Sequence, residues 1–460
     1  MIQDWIYLLA LGGGALLILG GGTLKNVVQS QAWRLRMWRD AATACNLNVV
    51  RSTRAWAWRL RLEAKAGPLE VRIEGAQPGN VGTQIVVVVP RPPGFREVRI
   101  RRETWGQRGM PEIETGDEAF DRVFFIEGPT RLVCMLLDAE IRGLLLRANA
   151  TSQVKIVNGE LQAKTLDVDI DGVLPILLDL GQRFTQKVDV LQCLIDNVLR
   201  DPAAGVRLSS LVVLVLECAR GPRTDEVLRI ACADQDSKVR LRAAIELGPE
   251  GHGVLMELAE SAQQDDVSAQ AVRALGRELP FERTTALLQH ALGVRRMQTA
   301  RACLETLGSS GTAEAVDLLA KVLAQEKVLG HEENEILIAA AQALGTTANP
   351  AAEAPLLLAL RHPRLDLRIA AARALGRVGS VAAVLPLKEA ARLSWPDLTQ
   401  AIRQAIAEIQ YRQPGASPGQ LSLAGTEAGQ LSLAQAETGQ LSLAAEAGQL
   451  SLSAEEERER

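Results

Sequence analysis

The chain has 460 residues, of which 47% are hydrophobic, 23% charged and 3% aromatic: room for two or three domains, and too apolar for wholesale disorder. Lysine and arginine total 51 against 55 aspartates and glutamates, a net charge of −4, which argues against a nucleic-acid binder driven by bulk positive charge. Six cysteines and four histidines, few and scattered, argue against a disulfide scaffold or a multi-metal protein.

Trp5 to Leu24 is a run of 20 residues without a charge. As a helix at 1.5 Å per residue it reaches about 30 Å, the thickness of a hydrocarbon core. A cleaved signal peptide needs a basic start and a small-residue cleavage site. Met1-Ile2-Gln3-Asp4 has no side-chain cation, and no cleavage site follows. The run is therefore predicted to be an uncleaved anchor, residues 1–25. Asp4 precedes it, while Lys25, Arg34, Arg36 and Arg39 follow. Positive flanks stay on the cytoplasmic side. The expectation is a single pass through a bacterial inner membrane, with the bulk of the chain cytoplasmic.

Residues 25–62 hold eight basic side chains and one acid, Asp40, interleaved with Trp33, Trp38, Trp56 and Trp58. Three readings stand: a surface on anionic headgroups, with Lys25, Arg34, Arg36 and Arg39 facing lipid; a site for single-stranded nucleic acid; or an ordinary solvated face. Ala55 to Leu62 alternates at period two and predicts a strand. Residues 26–186 then read as an α+β domain. Leu69–Ile73, Gln84–Val89, Val98–Arg101 and Val123–Ile126 are strand-like. Leu132–Arg147 and Leu174–Arg183 have helical spacing. Asn158-Gly159 between Val154–Val157 and Glu160–Ala163 predicts a hairpin. Asp167, Asp169, Asp171 and Gly172 match the opening of a calcium loop, but Leu178 stands where the closing glutamate is needed. A strand with alternating aspartates accounts for that pattern as well.

From 187 to 412 the pattern is helical and self-similar. Glu246-Leu-Gly248, Ala274-Leu-Gly276, Thr306-Leu-Gly308, Ala343-Leu-Gly345 and Ala374-Leu-Gly376 punctuate it, with glycine spacings of 28, 32, 37 and 31. The glycines are expected to end each second helix. Asp236 to Gly248 and Asp366 to Gly376 share one grammar. This segment resembles the HEAT repeat in its short bacterial form, which is also known from phycobilisome-lyase-like proteins. The resemblance implies about seven stacked helical hairpins forming a curved solenoid. It also implies that the aspartate and arginine of the Asp-x-x-Val-Arg signature bridge neighbouring repeats, so Arg240 and Arg368 are structural. Arg242, Arg273, Arg277, Arg301, Arg373 and Arg377 remain as candidates for a protein-binding face. With 26 basic and 28 acidic side chains in 187–412, that face does not suit a polyanion.

Residues 413–460 are a low-complexity tail, expected to be disordered. Gly-Gln-Leu-Ser-Leu starts at Gly419, Gly429, Gly439 and Gly448. Leu421, Leu431, Leu441 and Leu450 are each followed two residues on by Leu423, Leu433, Leu443 and Leu452. Such copies read as repeated ligands that add a strand to a partner. Gln-Leu-Ser-Leu also resembles the peptide that docks on the bacterial DNA sliding clamp, with alanine or serine where that peptide carries an aromatic.

The fold class expected is mainly α: a solenoid of HEAT-like hairpins preceded by a transmembrane helix and a small α+β domain, with a disordered repeat tail. No phosphate loop, dinucleotide fingerprint, Cys-x-x-Cys or His-Glu-x-x-His is present, so no cofactor and no metal is expected. The function expected is a membrane-anchored, non-enzymatic scaffold for protein partners. The alternatives are a phycobilin-lyase-like enzyme or chaperone, implied by the repeat resemblance, and a membrane-tethered nucleic-acid or sliding-clamp partner.

Overall fold

The computed structural model describes residues 32–55, 59–75, 82–90, 95–103, 111–187, 189–261, 263–324, 331–392 and 395–412, and two short strands at 421–423 and 431–433. The anchor at 5–24, Lys25, Trp56, Trp58 and the last two tail copies lie outside the described residues. Among the described residues no helix is long and apolar enough to cross a membrane. The chain divides into two compact units, Met1–Leu275 and Gly276–Arg460.

The first unit opens with an antiparallel sheet of eight strands, β1 (Asn48–Ala55), β2 (Arg59–Ala66), β3 (Leu69–Gly75), β4 (Thr83–Val88), β5 (Arg99–Arg102), β6 (Phe124–Glu127), β7 (Gln153–Val157) and β8 (Glu160–Thr165), in the order β1-β2-β3-β4-β8-β7-β5-β6. Alternation decides its faces. Leu69, Val71 and Ile73 of β3, Ile85 and Val87 of β4 and Leu161 and Ala163 of β8 point into one core, which also takes Trp38 from the helix at 32–44. Arg72, Gln84 and Gln162 point the other way. Arg72 pairs there with Glu160, and Arg101 with Glu127. β7 and β8 meet across Asn158 and Gly159, both at positive φ (55° and 78°), the hairpin turn that Asn-Gly favours.

Three expectations for this region change. The single strand read over 55–62 is divided between β1 and β2, which pair antiparallel from Ala55↔Arg59. The helix read over 132–147 is two helices, α1 (Thr130–Leu136) and α2 (Ala139–Thr151), because the Asp138 side chain accepts from the Ile141 N–H at 2.8 Å and starts a new helix. Asp167–Asp169 is a 3₁₀ turn leading into α3 (Ile170–Gln186), not a strand. The calcium reading fails for the same reason: Asp167 binds Arg34 Nε at 2.6 Å and accepts from Thr83. No group able to hold a metal occurs among the described residues.

Helices α4 (Val190–Arg200), α5 (Ala204–Glu217), α6 (Pro222–Ala231), α7 (Ser237–Leu247), α8 (His252–Glu260) and α9 (Asp265–Leu275) complete the first unit. An arginine–aspartate ladder ties them to the α+β region. Arg142 of α2 forks onto Asp201 at 2.9 and 3.0 Å, and Arg207 of α5 forks onto Asp234 at 2.7 and 2.8 Å. Arg207 also donates to the Asp201 carbonyl. The bridging acid is thus Asp234. Asp236, the signature aspartate, instead caps α7 by accepting from the Lys238 and Val239 N–H groups. Arg240 pairs with Glu257, at 3.9 Å. Arg368, in the second unit, is buried and donates to the Leu360 carbonyl of its own repeat. The ladder crosses residue 186, so the α+β region and the first helices pack as one unit.

The second unit alternates first helices α10 (Phe281–Gly293), α12 (Ala313–Leu323), α14 (Glu353–Ala359) and α16 (Val384–Ala391) with second helices α11 (Met297–Ser310), α13 (His331–Leu344), α15 (Leu365–Val378) and α17 (Pro396–Tyr411). The second helices stack on one another in series. Their glycines do not all end helices as expected. Gly308 and Gly376 lie inside α11 and α15. A Cβ on Gly345 would come within 2.8 Å of the Ala374 Cα, so this glycine permits close approach of successive repeats. In the first unit, Gly248 does end α7, at φ +64°.

Candidate functional site

The second helices of the second unit line a groove of about 800 Å³. Ala339, Ala343, Ala370, Ala374 and Ala401 form its floor. All five are buried, so the packing of neighbouring helices sets the floor's shape. Above it stand two rows of polar side chains. One row is Glu305, Gln342, Arg373 and Gln404; the other is Ser309, Thr346 and Arg377. Asp366, Asp397 and Gln400 complete the rim. The rows follow from the repeat register: Glu305, Gln342 and Arg373 each stand three residues before the repeat glycine, and Ser309, Thr346 and Arg377 one residue after it. On a helix these offsets share a face. Arg412 closes the end of α15, donating to the carbonyls of Gly376 at 2.5 Å and Gly379 at 2.7 Å, and to that of Arg377.

Of the six candidate arginines, Arg373 and Arg377 line this groove, and both are exposed. Arg301 lies one turn before the lining Glu305 and pairs with it at 3.2 Å. Arg242 is half-buried in the first unit and pairs with Glu246 of its own helix at 2.7 Å. Arg273 ends α9 in the first unit, and Arg277 opens the second; neither lines the groove. The six therefore do not form one surface. Reading arginines singly missed Gln342, Gln404 and Glu305, although the glycine register marks Glu305 and Gln342.

In the basic segment that opens the described residues, Arg34 is bound to Asp167, Arg39 donates to Ser52 Oγ at 2.8 Å, and Arg36 is exposed. Trp38 is fully buried and Trp33 about half exposed, so half of the described tryptophan pair belongs to the core.

The six cysteines are free thiols. Burial pushes Cys134 up to about 12, with Glu217 adding to it; burial pushes Cys303 to about 12 against the pull of Arg296. Neither is a nucleophile at neutral pH. No histidine, cysteine or lysine lies among the groove-lining residues.

Stacked hairpins with close-approach glycines and an aligned second-helix face are the geometry of a repeat protein. The sequence matches the family of HEAT repeats over residues 325–407. Residues 325–407 are HEAT repeats. The matched HEAT segment supplies α13, α15 and most of α17, and hence most of the groove. No curated protein matches the chain. Among solved structures, human deoxyhypusine hydroxylase in complex with glycerol aligns over 48% of this chain and 96% of its own, at 17% identity. Its TM-score of 0.20 is too low to bear on this chain's chemistry.

Proposed function

We propose that the protein is a non-enzymatic HEAT scaffold that docks a protein segment in the groove of its second unit, held at a membrane by residues 5–24. The observation that supports docking is the pairing of an alanine floor with a rim of mixed sign. Arg373 and Arg377 line it together with Glu305, Asp366 and Asp397 and with Gln342, Gln400 and Gln404. The small floor lets an extended or helical peptide approach closely. The glutamines offer donors and acceptors together, as a peptide backbone or mixed side chains require. A phosphate backbone would meet three carboxylates for two guanidiniums, which disfavours nucleic acid. The tether rests on the charge-free run and its basic flank.

A photo-crosslinking amino acid at Gln342 or Gln404, in the chain at its native level, tests the reading. Discrete protein adducts should form there, should disappear with Arg373→Glu plus Arg377→Glu, and should be absent for a probe at exposed Lys388 on α16. Equal adducts from Lys388 would remove the groove as the docking surface.

A further inference from the structure

Cations on the face of the sheet turned away from the core meet acids. Arg61 pairs with Glu63 and Glu74, Lys65 with Glu70, Arg72 with Glu160 and Arg101 with Glu127. Lys155 of β7 and Lys164 of β8 break this pattern. The register sets Lys155 opposite Gln162, and Lys164 opposite Gln153 on one side and Gln84 on the other. Glutamine stands where an acid would neutralise each lysine. Both lysines are exposed. With the three glutamines, Arg101, Arg102 and Glu103, they line a hollow of about 690 Å³. We propose that this hollow binds an extended acidic segment of a protein partner, one that carries carboxylates at alternate positions. The proposal is independent of the groove in the second unit and of the tether.

Spacing selects that ligand. Lys164 lies two residues along β8 from Gln162, the residue opposite Lys155. The two lysines are therefore diagonal neighbours on one face, roughly 7 Å apart at Cβ. Like charges so placed repel one another. Side chains two residues apart on an extended chain also share a face, and they too are roughly 7 Å apart. A Glu-x-Glu segment laid over the sheet thus sets one carboxylate beside each ammonium. Four cations line the hollow against one acid, Glu103, among the described residues. Arg101 is already held by Glu127, which leaves the two lysines and exposed Arg102 as counter-charges. The glutamines add donors and acceptors that a peptide main chain can use. Gln84 Nε2 donates to Gln162 Oε1 at 3.3 Å, and Gln162 Nε2 donates to Glu160 at 2.9 Å, so the central amide is held in place.

Other polyanions fit less well. Single-stranded nucleic acid is held by bases stacked on aromatic side chains. The described aromatic of this face, Phe125, is only 1% exposed, with the Arg101 guanidinium 6.0 Å from its ring centroid. A bilayer surface is broad and flat, whereas the cations here line a recess.

The test uses the full chain in detergent and a fluorescein-labelled octapeptide in which glutamate alternates with threonine, read by anisotropy. Its control is an isomer with two Glu-Glu pairs separated by four threonines, which places no two glutamates two residues apart. The alternating peptide should bind more tightly than the isomer, and salt should weaken it. Lys155→Gln plus Lys164→Gln should weaken its binding about tenfold. Lys65→Gln removes a lysine of the same face that already pairs with Glu70, and should leave binding unchanged. All three lysines are exposed, so each variant should melt as the wild type does. Binding that survives the double substitution, or that falls equally in Lys65→Gln, overturns the proposal, and so does equal binding of the two isomers. Oligothymidylate and the soluble lipid dihexanoylphosphatidylserine serve as competitors. Displacement of the peptide by either at lower concentration than unlabelled peptide, through the same two lysines, assigns the hollow to nucleic acid or to a headgroup and overturns it as well.

Discussion

Arg142 and Asp201 form a two-point ion pair in which both side chains are almost wholly excluded from water, at 2% and 1% exposure. All three guanidinium nitrogens donate. They donate to both Asp201 oxygens, to Asp117 at 2.8 Å and to the Leu137 carbonyl at 2.8 Å. Burial disfavours the charged guanidinium, yet the hydrogen bonds and charges of Asp201 and Asp117 outweigh it and raise the Arg142 pKa above its ordinary value. The pair ties α2 of the α+β region to the turn before α5, 59 residues on. Asp201 also holds the Ala203 N–H at 3.0 Å.

Removing one partner of such a pair leaves the other charged and buried, which costs about 3–5 kcal/mol. Arg142→Met should therefore destabilise the first unit by that amount and lower its urea midpoint in proportion. Arg142→Lys should recover only part of it, since an ammonium cannot make the parallel fork. A midpoint unchanged in the methionine variant would show that the junction does not depend on this pair.

The second rung of the ladder predicts a pH dependence. Burial alone raises the Asp234 pKa, but Arg207, the Asp236 N–H and Arg240 together pull the carboxyl below its ordinary value. A carboxylate depressed in the folded state stabilises above its unfolded pKa of about 3.9, and the contribution is lost as pH falls through the lower folded value. Asp234→Asn should thus destabilise the chain by about 1–3 kcal/mol at pH 7. The gap between variant and wild type should narrow steadily below about pH 4. Paired chemical denaturation curves at pH 7, 4 and 3 measure it; a pH-independent gap would mean that packing, not charge, is lost.

Elements whose signal is local were legible in the sequence. Asn158-Gly159 fixed a turn, and the alternation at Leu69–Ile73 fixed both a strand and its buried face. The repeat register was legible for the same reason. What escaped was set by distant partners. Arg142 carries no local mark within the helical spacing of 132–147, because its acids lie 25 and 59 residues away. Asp234 was passed over for Asp236, since a cap and a ladder acid two residues apart look alike until their partners are seen. The groove was half legible. Its arginines stand out by type, while Gln342 is marked only by its offset from the repeat glycine.

The proposed tether makes its own prediction. Deleting residues 1–25 should move the protein from the membrane pellet to the supernatant. The remaining basic flank is partly engaged, with Arg34 on Asp167 and Arg39 on Ser52, so it should not hold the chain to lipid at physiological salt. Retention of the deleted chain in a salt- and carbonate-washed pellet would refute a single anchor.

Glycine substitutions separate three situations that the sequence writes with one letter. Gly345 sits against the next repeat, and an added Cβ would meet both Cα and Cβ of Ala374 at 2.8 Å. Backbone cannot yield as a flexible side chain does, so Gly345→Ala should force α13 and α15 apart and cost about 1–3 kcal/mol. Gly248 has open space around it but a φ of +64°, so Gly248→Ala should cost about 1 kcal/mol through backbone strain alone. Gly143 lies in the middle of α2 with nothing within 4 Å of an added Cβ and no unusual φ. There alanine should stabilise by about 1 kcal/mol, the helix-propensity difference. Thermal melts of the three variants should rank Gly143→Ala above wild type, wild type above Gly248→Ala, and Gly345→Ala last. The groove adds a second readout, because its Ala343 and Ala374 flank the Gly345 contact. Crosslinking from Gln342 should fall in Gly345→Ala and remain at the wild-type level in Gly248→Ala. A Gly345→Ala protein that melts and crosslinks like wild type would show that the repeats are not packed at the spacing described.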